Sequence, residues 1–393
     1  MRVAISCDEY CAKVGNKYYL RDFGQVLVKR YLNVFDKVRL IVRTFEKDNV
    51  VSCGKFKYEV TDKRVEIYPI PFFQGPVQYL KCYVKVQKAV KNSLDGCNLA
   101  ILRLPSTVGF SVQNVAHKKK IPYALELVYD CKDSYQQNAG LTKLLWWRMH
   151  RKQLSACRGA IGIAPVTANY LQKHYPPKNE DVIMSHYSSV EMNDSFYHQP
   201  RSFPIKDFLT IVHVANQVQF KGRKGHEDVI SAIKILKDNG LRINIVFVGE
   251  DYQDGISKLT RFADNLGVKE NISFTGFLPS EKMREVLLNS DIAVLPTKAE
   301  GLPRVIIEAM ALGLPCITTN VSGNPELIDS EFLFDFGNVA AISRMIKLLA
   351  THRVIYEQTS KNNYTRSLEY SKNVLDKRRT DFFKSLKQKV NNI

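Results

Sequence analysis

Short apolar runs rich in β-branched residues alternate with stretches of helical period along almost the whole of this 393-residue chain. The gaps between runs can hold crossover helices, and crossovers of that length join parallel neighbours in a sheet. In the first half, strands are expected at 3–6, 38–42, 65–70, 99–103, 123–128, 160–164 and 182–184, with helices over 23–33, 78–92 and 141–157. In the second half, strands are expected at 210–214, 244–248, 272–274, 292–296 and 315–318, with helices over 226–238, 253–266, 280–288, 303–312 and 339–350. A charged helical stretch, 369–390, closes the chain.

Between the halves stands NDSFYHQPRSFPIKDF, residues 193–208, which has two prolines and neither period. It reads as a linker. The expected class is α/β, with two Rossmann-like, doubly wound parallel-sheet domains of similar size facing a cleft. The first would cover 1–195 and the second 196–368, with 369–393 a helix crossing back to the first. Open α/β sheets bind ligands beyond the carboxyl ends of their strands. The chemistry is therefore expected in strand-to-helix loops.

Composition narrows the setting. Apolar residues make up 45%, which suits a globular chain. Lysine and arginine outnumber the acids 57 to 39, giving a net charge of +18. Such a surface favours anionic partners: phosphorylated ligands, nucleic acid or an anionic membrane. No zinc finger or RRM pattern accompanies the charge, so nucleic acid is not an expected partner. The eight cysteines form no CxxC or zinc-type cluster and read as reduced thiols in a cytosolic protein. No apolar run is long enough to span a bilayer. The opening MRVAISC reads as a first strand, not a secretory signal.

The stretch DIAVLPTKAEGLPRVIIEAMALGLPCITT reads as strand, loop, helix, strand. Pro303 suits the first helical turn, where its missing N–H costs nothing. Val305, Ile306, Ala309 and Leu312 make an apolar face, and Gly313 ends the helix. The N–H groups of residues 302 to 305 would then point out at the positive end of a helix, a ready anion site. Glu300 lies in the loop before it and Glu308 inside the helix. A carboxylate at the rim of a nucleotide site commonly takes both ribose hydroxyls, and a second could hold hydroxyls of a sugar. The plainer alternative is a dipole-favoured Glu300 and a solvated Glu308.

This stretch resembles the E-x7-E signature of GT-B glycosyltransferases of the retaining group called family 4, and matches it at every fixed position from Glu300 to Pro315. The following Ser322-Gly323-Asn324-Pro325-Glu326 resembles that family's G-G-x-P-E loop. The resemblance covers the second domain from Thr210 onward. It implies that Glu300 contacts the donor sugar and Glu308 the nucleotide ribose. It places backbone around Gly301, Leu302, Pro303 and Arg304 near the pyrophosphate. Lys224-Gly225 fits the family's Lys-Gly, which clamps the leaving diphosphate. The arginine usual after the first strand is absent near Asn216-Gln217, and Lys221 or Arg223 is its candidate substitute. Gly249 ends a strand whose loop often lies near the base, and TGFLP resembles the segment that holds the base through Phe277 or Leu278. Both could equally be ordinary turns.

In the first domain the family's Gly-rich turn is replaced by the tyrosine-rich SCDEYCAKVGNKYYLRDFG, expected as an acceptor-side loop. Asp130 occupies the place of a residue beside the transferred sugar, with Asp133 and Glu126 as alternates and a capping role as the competing reading. The segment 141–154, with Trp146, Trp147, Lys143, Arg148, Arg151 and Lys152, suits a membrane interface or a half-buried helix with a basic outer face.

The expected function is a retaining hexosyltransferase. It would move a sugar from a UDP- or GDP-sugar to a saccharide or lipid-linked acceptor in surface-polysaccharide synthesis, in the cytoplasm or at the inner face of the cell membrane. No DxD-type site is evident, so no metal is expected. A nucleotide-sugar epimerase, a glycosidase built on the two glutamates, and a non-catalytic nucleotide-sugar or nucleic-acid binder are the alternatives.

Overall fold

The computed structural model of the chain describes residues 1–49, 54–136 and 146–392. The chain forms two compact units. One comprises Met1–Lys132, Leu145–Tyr187 and Asp376–Ile393, the other Asp133–Leu144 and Ser188–Leu375.

The strands of the N-terminal unit are β1 (Arg2–Val14), β2 (Lys17–Leu20), β3 (Lys37–Glu46), β4 (Tyr58–Glu59), β5 (Val65–Pro71), β6 (Leu99–Leu104), β7 (Tyr123–Leu127), β8 (Gly162–Pro165) and β9 (Ile183–Met184). Seven run parallel in the order β5-β3-β1-β6-β7-β8-β9. The tyrosine-rich stretch after Ser6 is not a loop. After a register shift between Ser6 and Tyr10, β1 continues and folds back on β2, which also pairs with β4. Buried Ala12 and Tyr19 pack there with Val14, Phe45 and Phe56. The tyrosines thus serve cross-strand packing, which is what stabilises such a ribbon.

Two of the longer helices lie outside the sequence expectation, as do the short Cys131–Gln136 and Tyr170–His174. Thr107–Lys119 is one, started by Ser106, whose hydroxyl oxygen accepts from the Gly109 amide at 3.1 Å. Arg353–Ser367 is the other, polar along most of its length. The final helix, Lys372–Asn391, completes the core of the N-terminal unit from Asp376 onward. Phe383 stacks on Tyr31 at 4.9 Å, and Leu386 lies so close to Gly162 that a β-carbon there would sit 2.7 Å away.

The strands of the C-terminal unit are β10 (Leu209–Val218), β11 (Ile243–Asp251), β12 (Ile272–Phe274), β13 (Ile292–Leu295), β14 (Cys316–Thr319) and β15 (Leu333–Phe334). All pairs are parallel, in the order β12-β11-β10-β13-β14-β15. This is the doubly wound Rossmann order, and the winding reverses between β10 and β13. Ile211, Ile245, Ile292 and Ile317 are wholly buried in this sheet. Each contributes about 1.5–3 kcal/mol. At such a reversal the connections that follow β10 and β13 run to opposite faces of the sheet. That is where a ligand crevice is expected.

Candidate functional site

Both loops at the switch point carry expected residues. The first, after β10, holds Arg223, Lys224 and Gly225. The second, after β13, runs through Glu300 to Pro303. They meet in one contact, where the Lys224 ammonium pairs with Glu300 Oε1. Thr297 Oγ1 also donates to that oxygen at 3.3 Å. The backbones of the loops are tied as well, the Lys298 amide donating to the Arg223 carbonyl at 3.0 Å. Gly225 is required here. It has φ +56°, and a β-carbon would lie 2.9 Å from Pro296 Cβ and 3.0 Å from the Pro296 carbonyl.

The helix after the second loop spans Arg304–Ala311, so Pro303 is its cap rather than its first turn. The Pro303 carbonyl accepts from the Ile306 and Ile307 amides at 3.2 and 3.3 Å. The Arg304 and Val305 amides have no acceptor among the described residues. They are donors that the start of this helix leaves for an anion. Leu302 and Pro303 are buried beneath them, and Arg304 is exposed.

Glu308 lies about one turn into the same helix and is half-buried. Burial pushes its carboxyl up from 4.5 to about 7, and the Arg304 guanidinium opposes the shift. The folded state therefore keeps a proton that the unfolded chain releases. Glu308 costs stability increasingly as pH rises from about 4.5, levelling off above about 7.

Hydroxyls and one amide support the loops from below. Thr319 Oγ1 donates to the Thr297 carbonyl at 2.7 Å. Asn324, wholly buried, donates to Thr318 Oγ1 and the Thr319 carbonyl, both at 2.9 Å. The Gly323 amide reaches the Gly301 carbonyl at 3.2 Å. Ser322 donates to Asp133, also of this unit, at 2.8 Å. Sequence reasoning missed the two threonines. Their signal was the TT pair ending β14, directly beside the E-x7-E loop.

Two further residues went unread. His213 and His226 are buried in edge-to-face contact at 4.5 Å. His226 follows Gly225 directly. Burial holds His213 down to about 4 and His226 lower still. Both rings are neutral in ordinary conditions, so Lys224 stands on an uncharged floor.

Gly249 and the 277–278 turn lie at the neighbouring strand ends. The Gly249 amide donates to the Gly276 carbonyl at 3.1 Å, and Phe277 projects outward, 61% exposed. Leu278 is half-buried. Asp130 belongs to the N-terminal unit. It is buried, receives the Tyr175 hydroxyl, and caps the Lys132 amide at 2.7 Å. Glu126 is likewise buried, paired with Arg103 and the Tyr187 hydroxyl. Of the expected membrane segment, 141–145 lies outside the described residues. Trp147 is half-exposed under the Arg151 guanidinium, 5.5 Å from its ring. Among the described residues no cluster of His, Cys, Asp and Glu could hold a metal, and no helix is long and apolar enough to cross a membrane.

Residues 202–366 match the family described as Glycosyl transferases group 1. Over 337 residues the chain is 26% identical to Protein CapJ of Staphylococcus aureus, covering 85% of this chain and 82% of that protein. It is 26% identical over 306 residues to a putative teichuronic acid biosynthesis glycosyltransferase, TuaC, of Bacillus subtilis, covering 73% and 69%. Among solved structures, Anabaena HepE in complex with UDP and glucose superposes with a TM-score of 0.67 at 14% identity, covering all of both chains. The fold is GT-B, and the C-terminal unit carries a group 1 glycosyltransferase domain.

Proposed function

We propose that the protein is a retaining glycosyltransferase that takes a sugar from a nucleotide-sugar and transfers it to a saccharide or lipid-linked saccharide in surface-polysaccharide synthesis. The observation that carries this reading is the Lys224–Glu300 pair at the switch point, beside the open Arg304 and Val305 amides. One positive side chain and two amide donors suit a diphosphate. Two carboxylates at different depths suit hydroxyl groups, Glu300 those of the sugar and Glu308 those of the ribose.

Transfer separates charge. The sugar becomes oxocarbenium-like while negative charge grows on the leaving diphosphate. Fixed cations and amides at that charge lower the barrier without reorganising. Lys224 would release Glu300 to the sugar and turn to the phosphates. Arg223, half-buried beside it, is the residue suited to replace the arginine absent near Asn216. Backbone near Gly249, Phe277 and Leu278 is where the base would rest. The matches to TuaC and to HepE with UDP and glucose support a polysaccharide role and favour a uridine nucleotide. A lipid-linked acceptor would bring the enzyme to an anionic membrane surface on the cytoplasmic side.

The test is donor consumption and transfer by two variants. Glu300→Ala should slow transfer about 100-fold, and Glu308→Gln should weaken donor affinity about ten-fold. Full activity in both, with the fold intact, removes this site assignment. Thermal shifts with UDP, GDP, ADP and their sugars should single out one base.

The acid-base state of Glu308 gives an independent check. Ribose hydroxyls donate to an ionised carboxylate, and a group at about 7 is only about one-tenth ionised at pH 6. Affinity for UDP-glucose, whose diphosphate has no titration of its own in this range, should fall about ten-fold from pH 8 to pH 6. Titration calorimetry on Glu308→Gln should show a flat profile over the same interval.

A further inference from the structure

The helix Gly75–Val90 of the N-terminal unit is apolar on two sides. Its inner side is settled. Val86 and Val90 are wholly buried, the Tyr68 hydroxyl donates to the Ala89 carbonyl at 2.9 Å, and Gln87 donates to Ser111 at 2.9 Å. Those contacts fix the rotation of the helix, so its other side faces out. There Val77, Leu80 and Val84, spaced three and four apart, are 64%, 72% and 76% exposed. Phe72 and Tyr83 are exposed at the margins. Among the described residues no other segment gathers as many exposed large apolar side chains. A helix that is apolar all round is normally buried on both sides, and a clustered apolar patch marks an interaction site.

What covers it follows from the flanking charge. Lys81, Lys85 and Lys88, at the same helical spacing, form an adjoining row, and Lys91 caps the helix. The helix contains no Asp or Glu, and none of these lysines is in an ion pair among the described residues. A second copy of the chain would bring this row against itself, because a two-fold interface pairs like surfaces. An anionic lipid surface accepts both rows at once. The valines and leucine enter the headgroup–acyl boundary, and the lysines lie among the headgroups.

We infer that the outward face of the helix Gly75–Val90 docks the protein on an anionic membrane surface, through Val77, Leu80 and Val84 with Lys81, Lys85 and Lys88. This gives the membrane reading above a definite surface and depends on that reading for its purpose. It puts the contact on a different helix from the tryptophan-containing one, for which a membrane interface was one of two sequence readings.

The experiment is co-sedimentation of the full chain with vesicles of phosphatidylcholine alone and with phosphatidylglycerol added, without donor or acceptor. The wild type should partition onto the anionic vesicles and be released by salt. Leu80→Ser/Val84→Ser and Lys81→Gln/Lys85→Gln/Lys88→Gln should each lower that partition roughly ten-fold or more. Both variants should keep the wild-type melting temperature and UDP-glucose consumption, since these side chains face outward. Trp147→Ala should bind as the wild type does. A wild type that stays in solution overturns the inference, as do variants that bind unchanged. Loss of binding in Trp147→Ala alone overturns it too, as does a concentration-dependent dimer abolished by Leu80→Ser/Val84→Ser without vesicle binding. Donor consumption is read separately, so a failed docking surface leaves the transferase reading standing, and the reverse.

Discussion

Lys224→Ala should lower the turnover of sugar transfer by about 100- to 1,000-fold while raising the donor KM by less than about ten-fold. The asymmetry is the point. A bound nucleotide-sugar already carries its diphosphate charge, and in the proposed site the two open amides at Arg304 and Val305 would hold part of it. What grows along the reaction is the charge on the departing oxygen, and a mobile ammonium meets it best. In the free protein Lys224 is held by Glu300. Removing it also leaves Glu300, which is only 17% exposed, without its cation. Initial rates over a range of donor concentrations separate the two constants. A large rise in KM with unchanged turnover would mean that Lys224 binds substrate and transition state alike, and its role at the leaving group would fall.

The stretch 291–319 was legible because everything in it is local. Strand, loop, capping proline, apolar face and Gly313 occur within one run of residues, and short-range stereochemistry dictates each. The pairing of Lys224 with Glu300 was not, because the two stand 76 positions apart and meet only through the order of the sheet. His213 and His226 escaped for the same reason. Each looks ordinary in sequence, and only the packing of β10 against the start of the next helix brings the rings together. The hairpin of β1 and β2 was mistaken for a loop because tyrosines, lysines and small residues fill it without an aliphatic run. The helix Gly75–Val90 was legible as a helix, but not in its orientation. Periodicity counts apolar positions and does not say which of two apolar sides meets the sheet. Aromatic and basic content drew attention to the helix after residue 145 instead, where Trp147 is half covered by Arg151.

Gly249→Ala should lower the melting temperature by roughly 5–12 °C, the signature of about 2–4 kcal/mol lost in a unit of this size. Gly249 lies near the end of β11 with φ +155°, a conformation open to glycine and costly for other residues. Its surroundings add a second penalty. A β-carbon would lie 2.3 Å from the Ala215 carbonyl oxygen and 3.3 Å from Val218 Cγ2. β10 shifts register against β11 between Val214 and Gln217 at this place, and the Ala215 carbonyl lies against Gly249 there. Gly240→Ala separates the two contributions. Gly240 also has positive φ, +78°, but nothing lies within 4 Å of its would-be β-carbon. It should cost about 1–2 kcal/mol, the backbone penalty alone. The excess in Gly249→Ala then reports the clash between β10 and β11 together with the steeper backbone penalty at φ +155°. Equal losses in the two variants would show that β10 yields there, and the close approach at Gly249 would not be what holds β10 and β11 in register.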